Sequence, residues 1–381
     1  MKRLSVIALG ILLLNACQPP IPATPLPATA GDDWALTGFV KADSINPILK
    51  PGSDLQFTCP LSGLTVKWEE RNVLNPAAIV KGDSVYLFYR AQDLNGTSRI
   101  GLAVSADGLH FTKMPAPVLY PDADSQQVYE WNAMRPKNSA ANSTQKYFDG
   151  VEDPRIVSTE NGEYIITYTA YDGKTARLCM ATSKDLLHWQ KKGLVLKEAV
   201  YKNYWSKSGA IVVKQSGSQM IAAKINNRYW MYFGDTDIFL ASSTDLTNWQ
   251  VATFSESKKM VPALQPRPGY FDSRLVEPGP YALLTEKGIL LIYNASNAAD
   301  YNDILLPKFS YAAAQALFDT SKPYQLIKRQ SSYFIHPDKE YEKVGEVNEV
   351  CFVEGLVYFK NKWFLYYGTA DSKIAVAVKE N

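Results

Sequence analysis

The pattern Ala-x-Ser-x-Asp-x-x-x-aromatic occurs three times in this chain, at Ala103 to Phe111, Ala181 to Trp189 and Ala241 to Trp249. A pattern copied at this resolution means that one supersecondary unit is repeated, which restricts the fold more tightly than composition does. Its physical content is local. A strand ends at the serine, the aspartate caps the following turn with its side chain, and the aromatic opens the next strand and packs inward.

Upstream of each copy stands a strand pair around a polar turn. These are Ala77 to Val80 with Val85 to Arg90, Ile156 to Ser158 with Tyr164 to Tyr171, and Ile221 to Lys224 with Tyr229 to Phe233. Two further hairpins lack the Ser-x-Asp signature: Tyr281 to Leu284 with Ile289 to Tyr293, and Leu356 to Phe359 with Trp363 to Tyr367. Five units of roughly four strands each predict an all-β, five-bladed β-propeller. A β-sandwich with decorated loops is the runner-up, and the repeat argues against it. The 23 Tyr, 15 Phe and 8 Trp suit strands, and they also suit a surface for flat, polar-edged sugars. The segment from Trp34 to Glu70 is expected to supply a strand that closes the ring against the last unit, whose strands end near Val378. Residues 34–381 are thus expected to form one catalytic domain.

Lys2 and Arg3, followed by the apolar run Leu4 to Leu14, form a targeting segment too short to span a bilayer as a helix. The end of that run, Leu14-Asn15-Ala16-Cys17, resembles the lipobox of bacterial lipoproteins. This implies a signal peptide over residues 1–17 and a lipid on Cys17. The alternative is an ordinary signal peptide with an incidental cysteine, and either reading exports the protein to the periplasm or cell surface. The proline-rich stretch 18–33 reads as a tether. With 40 Lys+Arg against 38 Asp+Glu and no dense basic run beyond the first three residues, nucleic acid is not an expected partner. Cys59, Cys179 and Cys351 show no CxxC spacing and read as buried thiols. No cofactor and no metal are expected, since the chain carries no GxSxG, Walker-type loop or HExxH. His110 and His188 share one slot of the repeated turn, and His336 is expected at the surface.

If the first strand of each unit lines a shared channel, equivalent strand starts meet around one axis. Those starts read Asn75-Pro76, Glu152-Asp153-Pro154, Ser208-Gly209, Glu277-Pro278 and Glu354-Gly355. Carboxylates at three of five positions point to a site. Two acids across a pocket are what glycoside hydrolysis needs, one to protonate the leaving oxygen and one to activate water or attack the sugar.

Asn75-Pro76, Tyr89-Arg90, Gly150 to Arg155 and Phe271-Asp272-Ser273 resemble glycoside hydrolase family 130, five-bladed propellers that act on β-mannosides as phosphorylases or hydrolases. The resemblance implies Asp153 as general acid, acting through a hydroxyl of the mannose ring. It places Asn75, Arg90 and Arg155 around the sugar, with Glu152, Lys207, Asp272 and Glu354 as further substrate contacts. The alternative is that the charge of Arg155 holds Glu152 or Asp153. The phosphorylases carry a His-Arg pair after the third hairpin to bind phosphate; here the stretch reads Tyr229 to Asp235, although Lys207 and Arg155 survive from such a set. This resembles the hydrolase branch, which favours β-1,2-mannosides. Glu277 is the first choice of base and Asp235 the second. Tyr129, Trp131, Tyr204, Trp205 and Tyr301 are candidates for a sugar platform. The expected substrate is a β-mannoside oligosaccharide, cleaved with inversion; the alternatives are a phosphorylase and a non-catalytic glycan-binding lipoprotein.

Overall fold

The computed structural model describes residues 33–135 and 145–380. The proposed lipidation site Cys17 and most of the tether lie outside these residues. The chain is all-β, with helix among the described residues limited to the single turns Gln127–Glu130, Ala199–Tyr201 and Glu340–Lys343.

Five antiparallel units follow one another. The first runs through Asn72–Lys81, Ser84–Gln92, Thr97–Ser105 and Thr112–Lys113. The second runs through Asp149–Ser158, Tyr164–Tyr171, Ala176–Ser183 and Gln190–Leu194. In the third, Arg228–Phe233, Ile238–Ser243 and Trp249–Val251 follow a first strand that is interrupted. The fourth comprises Leu275–Pro278 with Ala282–Thr285, then Gly288–Ser296, Tyr311–Phe318 and Leu326–Arg329. The fifth comprises Cys351–Phe359, Lys362–Thr369 and Lys373–Glu380. Its fourth strand comes from the other end of the chain, with Val40 paired to Val378 and Lys41 to Ala377, as the segment before the first unit predicted. Lys41 then reaches Glu342 at 2.7 Å and the carbonyl of His336 at 2.7 Å. His336 is half-buried in this latch and packs on Tyr333, which corrects the surface placement expected of it.

The repeated turn is built as the sequence reads. Ser105 Oγ accepts from the backbone N–H of Gly108 at 2.8 Å, and Asp107 Oδ1 accepts from those of Leu109 and His110 at 2.8 Å. Asp185 and Asp245 repeat the arrangement, with His188 and Asn248 in the slot of His110. The turn's aromatic joins neighbouring units: Phe111 meets Tyr366 of the fifth edge-on at 5.7 Å, and Trp189 meets Phe88 of the first at 5.7 Å. Cys59, Cys179 and Cys351 are buried free thiols.

The third unit departs from expectation. Ala210 and Ile211 pair with Tyr232 and Met231, and Lys224 pairs with Tyr229. Between them the chain leaves the unit as a hairpin, Val213–Ser216 against Gln219–Ala222. The expected strand Ile221 to Lys224 is therefore split between hairpin and unit. The hairpin bonds to the far ends of other first strands: Ile221 beside Ser158, Val212 and Val213 beside Ala282 and Leu283, and the Gln219 amide donating to the Val80 carbonyl. The C-terminal ends of these first strands are thereby covered, while their N-terminal ends carry the acids.

Candidate active site

Three first strands carry a residue in the left-handed region near their start: Asn75 (φ 49°) and Asp153 (φ 48°) within the first five residues, and Ser208 (φ 59°) just before the third. In the first and second units a register shift falls at that point, between Leu74 and Pro76 and between Glu152 and Arg155. Such a bulge re-aims the side chain out of the sheet's alternation, and the backbone strain it stores is of the kind found at functional sites. Gly150 is required just upstream. Its φ is 119°, and a Cβ there would lie 2.1 Å from the Ser98 carbonyl oxygen.

The strand starts bring Asn75, Glu152, Asp153, Lys207, Ser208, Glu277 and Glu354 together. Asp153 Oδ1 accepts from Asn75 Nδ2 at 2.8 Å and Arg90 Nη1 at 3.1 Å, and its Oδ2 lies 3.2 Å from Lys207 Nζ. Glu152 Oε1 accepts from Arg90 Nη2 at 2.7 Å and Ser98 Oγ at 3.0 Å. Ser208 Oγ donates to Glu277 Oε1. Arg155 Nη2 lies 2.7 Å from Glu354 and 3.8 Å from Glu277, while its other N–H groups donate to the carbonyls of Gly279 and Asp153. The guanidinium that holds Glu152 and Asp153 is therefore that of Arg90. Arg155 ties the second unit to the fourth and fifth; of the two acids it was expected to hold, it acts on the Asp153 carboxyl through its charge alone.

Asp272 is placed elsewhere. It is fully buried, and its carboxylate receives Arg267 at 2.7 Å, Arg329 at 2.6 Å and the Tyr293 hydroxyl at 2.9 Å. Two guanidiniums balance its charge and none of it is exposed, which corrects the substrate-contact assignment. Among the platform candidates, Tyr129 lies under Arg177 and Trp131 under Arg135 as packing, and Tyr301 is exposed on a loop.

The site crowds acids against few cations, and their proton affinities separate accordingly. Burial opposes ionisation of Asp153, yet Arg90, Lys207, Arg155 and Asn75 overcome it and hold the carboxyl well below its ordinary range. Glu152 is pushed up to about 7, by burial first and by the charge of Asp153, against the pull of Arg90. Burial also raises Glu277 and Glu354 despite Lys207 and Arg155. Glu354 has neither side-chain oxygen in a hydrogen bond, because Arg155 approaches it out of line. Arg155 and Lys207 are the cations that oppose this rise at both acids.

Sequence reasoning missed Asp371, although the repeat contained the signal. Every unit has an Asx residue one or two past the end of its second strand: Asp93, Asp172, Asp235, Asn297 and Asp371. In the first two units it caps its own turn and pairs with an arginine opening the third strand, Asp93 with Arg99 and Asp172 with Arg177. Asn297 likewise caps a loop through the carbonyls of Asp303 and Leu306. The third strands of units three and five open without arginine, as Ile238-Phe239 and Lys373-Ile374, which frees Asp235 and Asp371. Asp371 is raised to about 6 by loss of hydration, within electrostatic reach of Arg90, Asp153 and Lys207. Asp235 Oδ2 accepts from Trp205 Nε1 at 2.5 Å.

An all-β scaffold presenting buried carboxylates of opposed proton affinity beside hydrogen-bonding cations has the groups that glycoside chemistry needs. The chain belongs to glycoside hydrolase family 130: the family profile, described as beta-1,4-mannooligosaccharide phosphorylase, matches residues 47–381. It is 31% identical over 325 residues to a 1,2-beta-oligomannan phosphorylase of Thermoanaerobacter sp. (strain X514), covering 82% of this chain and 92% of that protein. A putative glycosidase from Bacteroides thetaiotaomicron VPI-5482 superposes with a TM-score of 0.85 at 41% identity, covering 91% of this chain and 98% of the other. Another solved structure, with a TM-score of 0.85 and 38% identity, covers 93% of this chain and 96% of the other. It was described in work reporting that the GH130 mannoside phosphorylases include glycoside hydrolases targeting beta-1,2 mannosidic linkages in Candida mannan. The family acts on mannosides, so the chain is an enzyme of that class.

Proposed function

We propose that this chain is an inverting β-mannosidase that removes a terminal mannose from β-1,2-linked mannosides, with water as the acceptor. The five units are read as the blades of a five-bladed propeller, residues 34–381 as one catalytic domain, and residues 1–33 as a lipoprotein signal peptide and tether. On that reading the protein is exported and held to a membrane through Cys17.

The observation that carries the proposal is the position of Lys207. It lies 3.2 Å from Asp153 and lowers the proton affinity of both Asp153 and Glu277, acids presented by different units. Asp153 serves as the acid for the leaving oxygen. At rest it is ionised, so it must be protonated within the site once the substrate is bound. Glu152, held near 7 and sharing Arg90 with Asp153, supplies the neighbouring proton: the pair holds one proton and one charge, and a sugar hydroxyl that screens Asp153 from Lys207 moves the proton toward Asp153. Glu277 activates water, oriented by Ser208 and kept near its working charge by Lys207 and Arg155. The hairpin over the opposite strand ends favours a pocket that receives a chain terminus.

The phosphorylase reading is favoured by the similarity to 1,2-beta-oligomannan phosphorylase. Incubating the protein with β-1,2-mannobiose, with and without phosphate, and following products by proton NMR decides between them. Free mannose appearing first as the α-anomer, at a rate independent of phosphate, is the expected outcome. Mannose 1-phosphate formed only with phosphate would overturn it.

A further inference from the structure

Beside the acid cluster, a cavity of about 380 Å³ is lined by Tyr204, Trp205, Asp235, Thr236, Asp237 and Phe239. That lies within the range of about 300–1,000 Å³ usual for small-molecule sites. Trp205 is 45% exposed, yet its ring is fixed on two sides. Its N–H donates to Asp235, and it meets Tyr171 at 6.0 Å and 67°. Tyr171 lies in turn within electrostatic reach of Glu152, which puts the indole beside the acid cluster. An exposed indole with both edges tied is a preorganised flat surface, and ordering it costs a ligand little.

The turn opposite is equally constrained. Gly234 has φ 128°, and a Cβ there would lie 2.1 Å from the Asp237 carbonyl oxygen, so the turn closes only with glycine. Its N–H donates to the Lys207 carbonyl at 2.9 Å, which locks the turn to the segment that carries Trp205 and Lys207. The lining includes no lysine or arginine. Two carboxylates there oppose an anion and accept hydrogen bonds from hydroxyls. Asp237 Oδ2 also accepts from Gln265 Nε2 at 3.2 Å.

We propose that this cavity is the subsite for the leaving part of the substrate, a neutral pyranose stacked on Trp205, and that Asp235 is a positioning residue for the indole and not the activator of water. In the first two units the equivalent aspartate is bound by an arginine of its own sheet; in the third that arginine is absent and the carboxylate holds an indole instead. The inference rests on the mannosidase reading for the identity of the sugar, and it resolves the choice of base in favour of Glu277.

The test separates positioning from catalysis. Steady-state hydrolysis of β-1,2-mannobiose is measured for Trp205→Ala, Trp205→Phe, Asp235→Ala and Asp235→Asn. Trp205→Ala and Asp235→Ala are expected to raise KM about tenfold, the scale of one aromatic stacking contact, with kcat changed less than about threefold. Asp235→Asn keeps an acceptor for the indole N–H and should restore most of the lost affinity; Trp205→Phe keeps the ring and should fall between. A fall in kcat of about 10²-fold or more in both Asp235 variants, the scale of a lost general base, would overturn the positioning role. An unchanged KM in Trp205→Ala would overturn the subsite. A binding arm needs no turnover: calorimetry of Asp153→Asn with mannobiose and with mannose should show Trp205→Ala weakening only the disaccharide. Equal weakening of both, or of neither, refutes the subsite. Trp205-dependent binding with mannose 1-phosphate as product would refute the hydrolase and leave the subsite standing.

Discussion

Glu152→Gln should change how stability depends on pH more than it changes stability itself. The carboxyl is 5% exposed, and Oε1 already accepts both of its hydrogen bonds, from Arg90 and Ser98. A glutamine placed with its oxygen there keeps both bonds and mimics the protonated acid. In the folded chain Glu152 is raised to about 7 from an ordinary 4.5. The folded state therefore holds a proton that the unfolded chain releases, and stability falls as pH rises from about 4.5 to 7. At about 1.4 kcal/mol per pH unit, ionising this group in place costs on the order of 3 kcal/mol.

Asp153 has the opposite sign. Its depressed carboxyl adds stability that is present above the unfolded pKa, near 4, and is lost only as pH falls below it. The two windows do not overlap, so unfolding at pH 5 and pH 8 reads the raised acids, which include Glu130 at about 7 and Asp371 at about 6, against half-buried His336, whose lowered proton affinity acts with the opposite sign. Wild type should be less stable at pH 8 than at pH 5, and Glu152→Gln should remove on the order of 3 kcal/mol of that difference, measured by urea unfolding at each pH. An identical pH dependence in variant and wild type would mean that Glu152 is ionised throughout, and the proton-sharing argument would fail.

Three further outcomes follow from the same geometry. Gly150→Ala forces a Cβ to 2.1 Å from the Ser98 carbonyl at φ 119°; it should lower the thermal midpoint and abolish turnover together, because the strand carrying Glu152 and Asp153 must move. Lys41→Met leaves buried Glu342 with the Tyr367 hydroxyl at 2.9 Å and backbone N–H groups but no cation, at a cost of about 3–5 kcal/mol in urea unfolding. Asp153→Asn should lower kcat by at least about 10²-fold on mannobiose, and Glu277→Gln should do likewise; a Glu277→Gln variant retaining near-normal kcat would remove Glu277 as the base.

The parts of this fold legible in the sequence are those whose cause is local. Ser105 and Asp107 satisfy backbone N–H groups within three residues, so the turn can be recognised from its own side chains, and three copies count the units. The pairing of Val40 with Val378 was legible for a different reason: the last unit was one strand short and the preceding segment had no other place. The hairpin from Val213 to Ala222 was not legible, because its apolar strands look like any others and its partners, Ser158 and Ala282, lie in other units. Asp272 failed similarly. Its motif drew attention to it, but Arg329, which helps saturate it, is far along the chain. Asp371 could have been found by aligning the residues that end each second strand and asking which lacked an arginine. The acid cluster was legible at Asp153, Glu277 and Glu354 because repetition makes strand starts equivalent, while the exchange of roles between Arg90 and Arg155 was set by the bulge, a three-dimensional event.

Arg90, Lys207 and Arg155 are each already paired with a carboxylate of the cluster. They face Glu152, Asp153, Glu277, Glu354 and Asp371, with Asp235 beside them, so acids outnumber cations and part of the excess is carried as protons. A phosphate dianion entering this region would have to displace a carboxylate from one of these cations and would add charge to a site already short of positive partners. Water meets no such barrier, and a raised Glu277 is better suited to take its proton than a fully solvated carboxylate would be. On this distribution of charge the proposed hydrolysis would use the acids at the strand starts as they stand, whereas phosphorolysis would need a cation freed from its carboxylate partner.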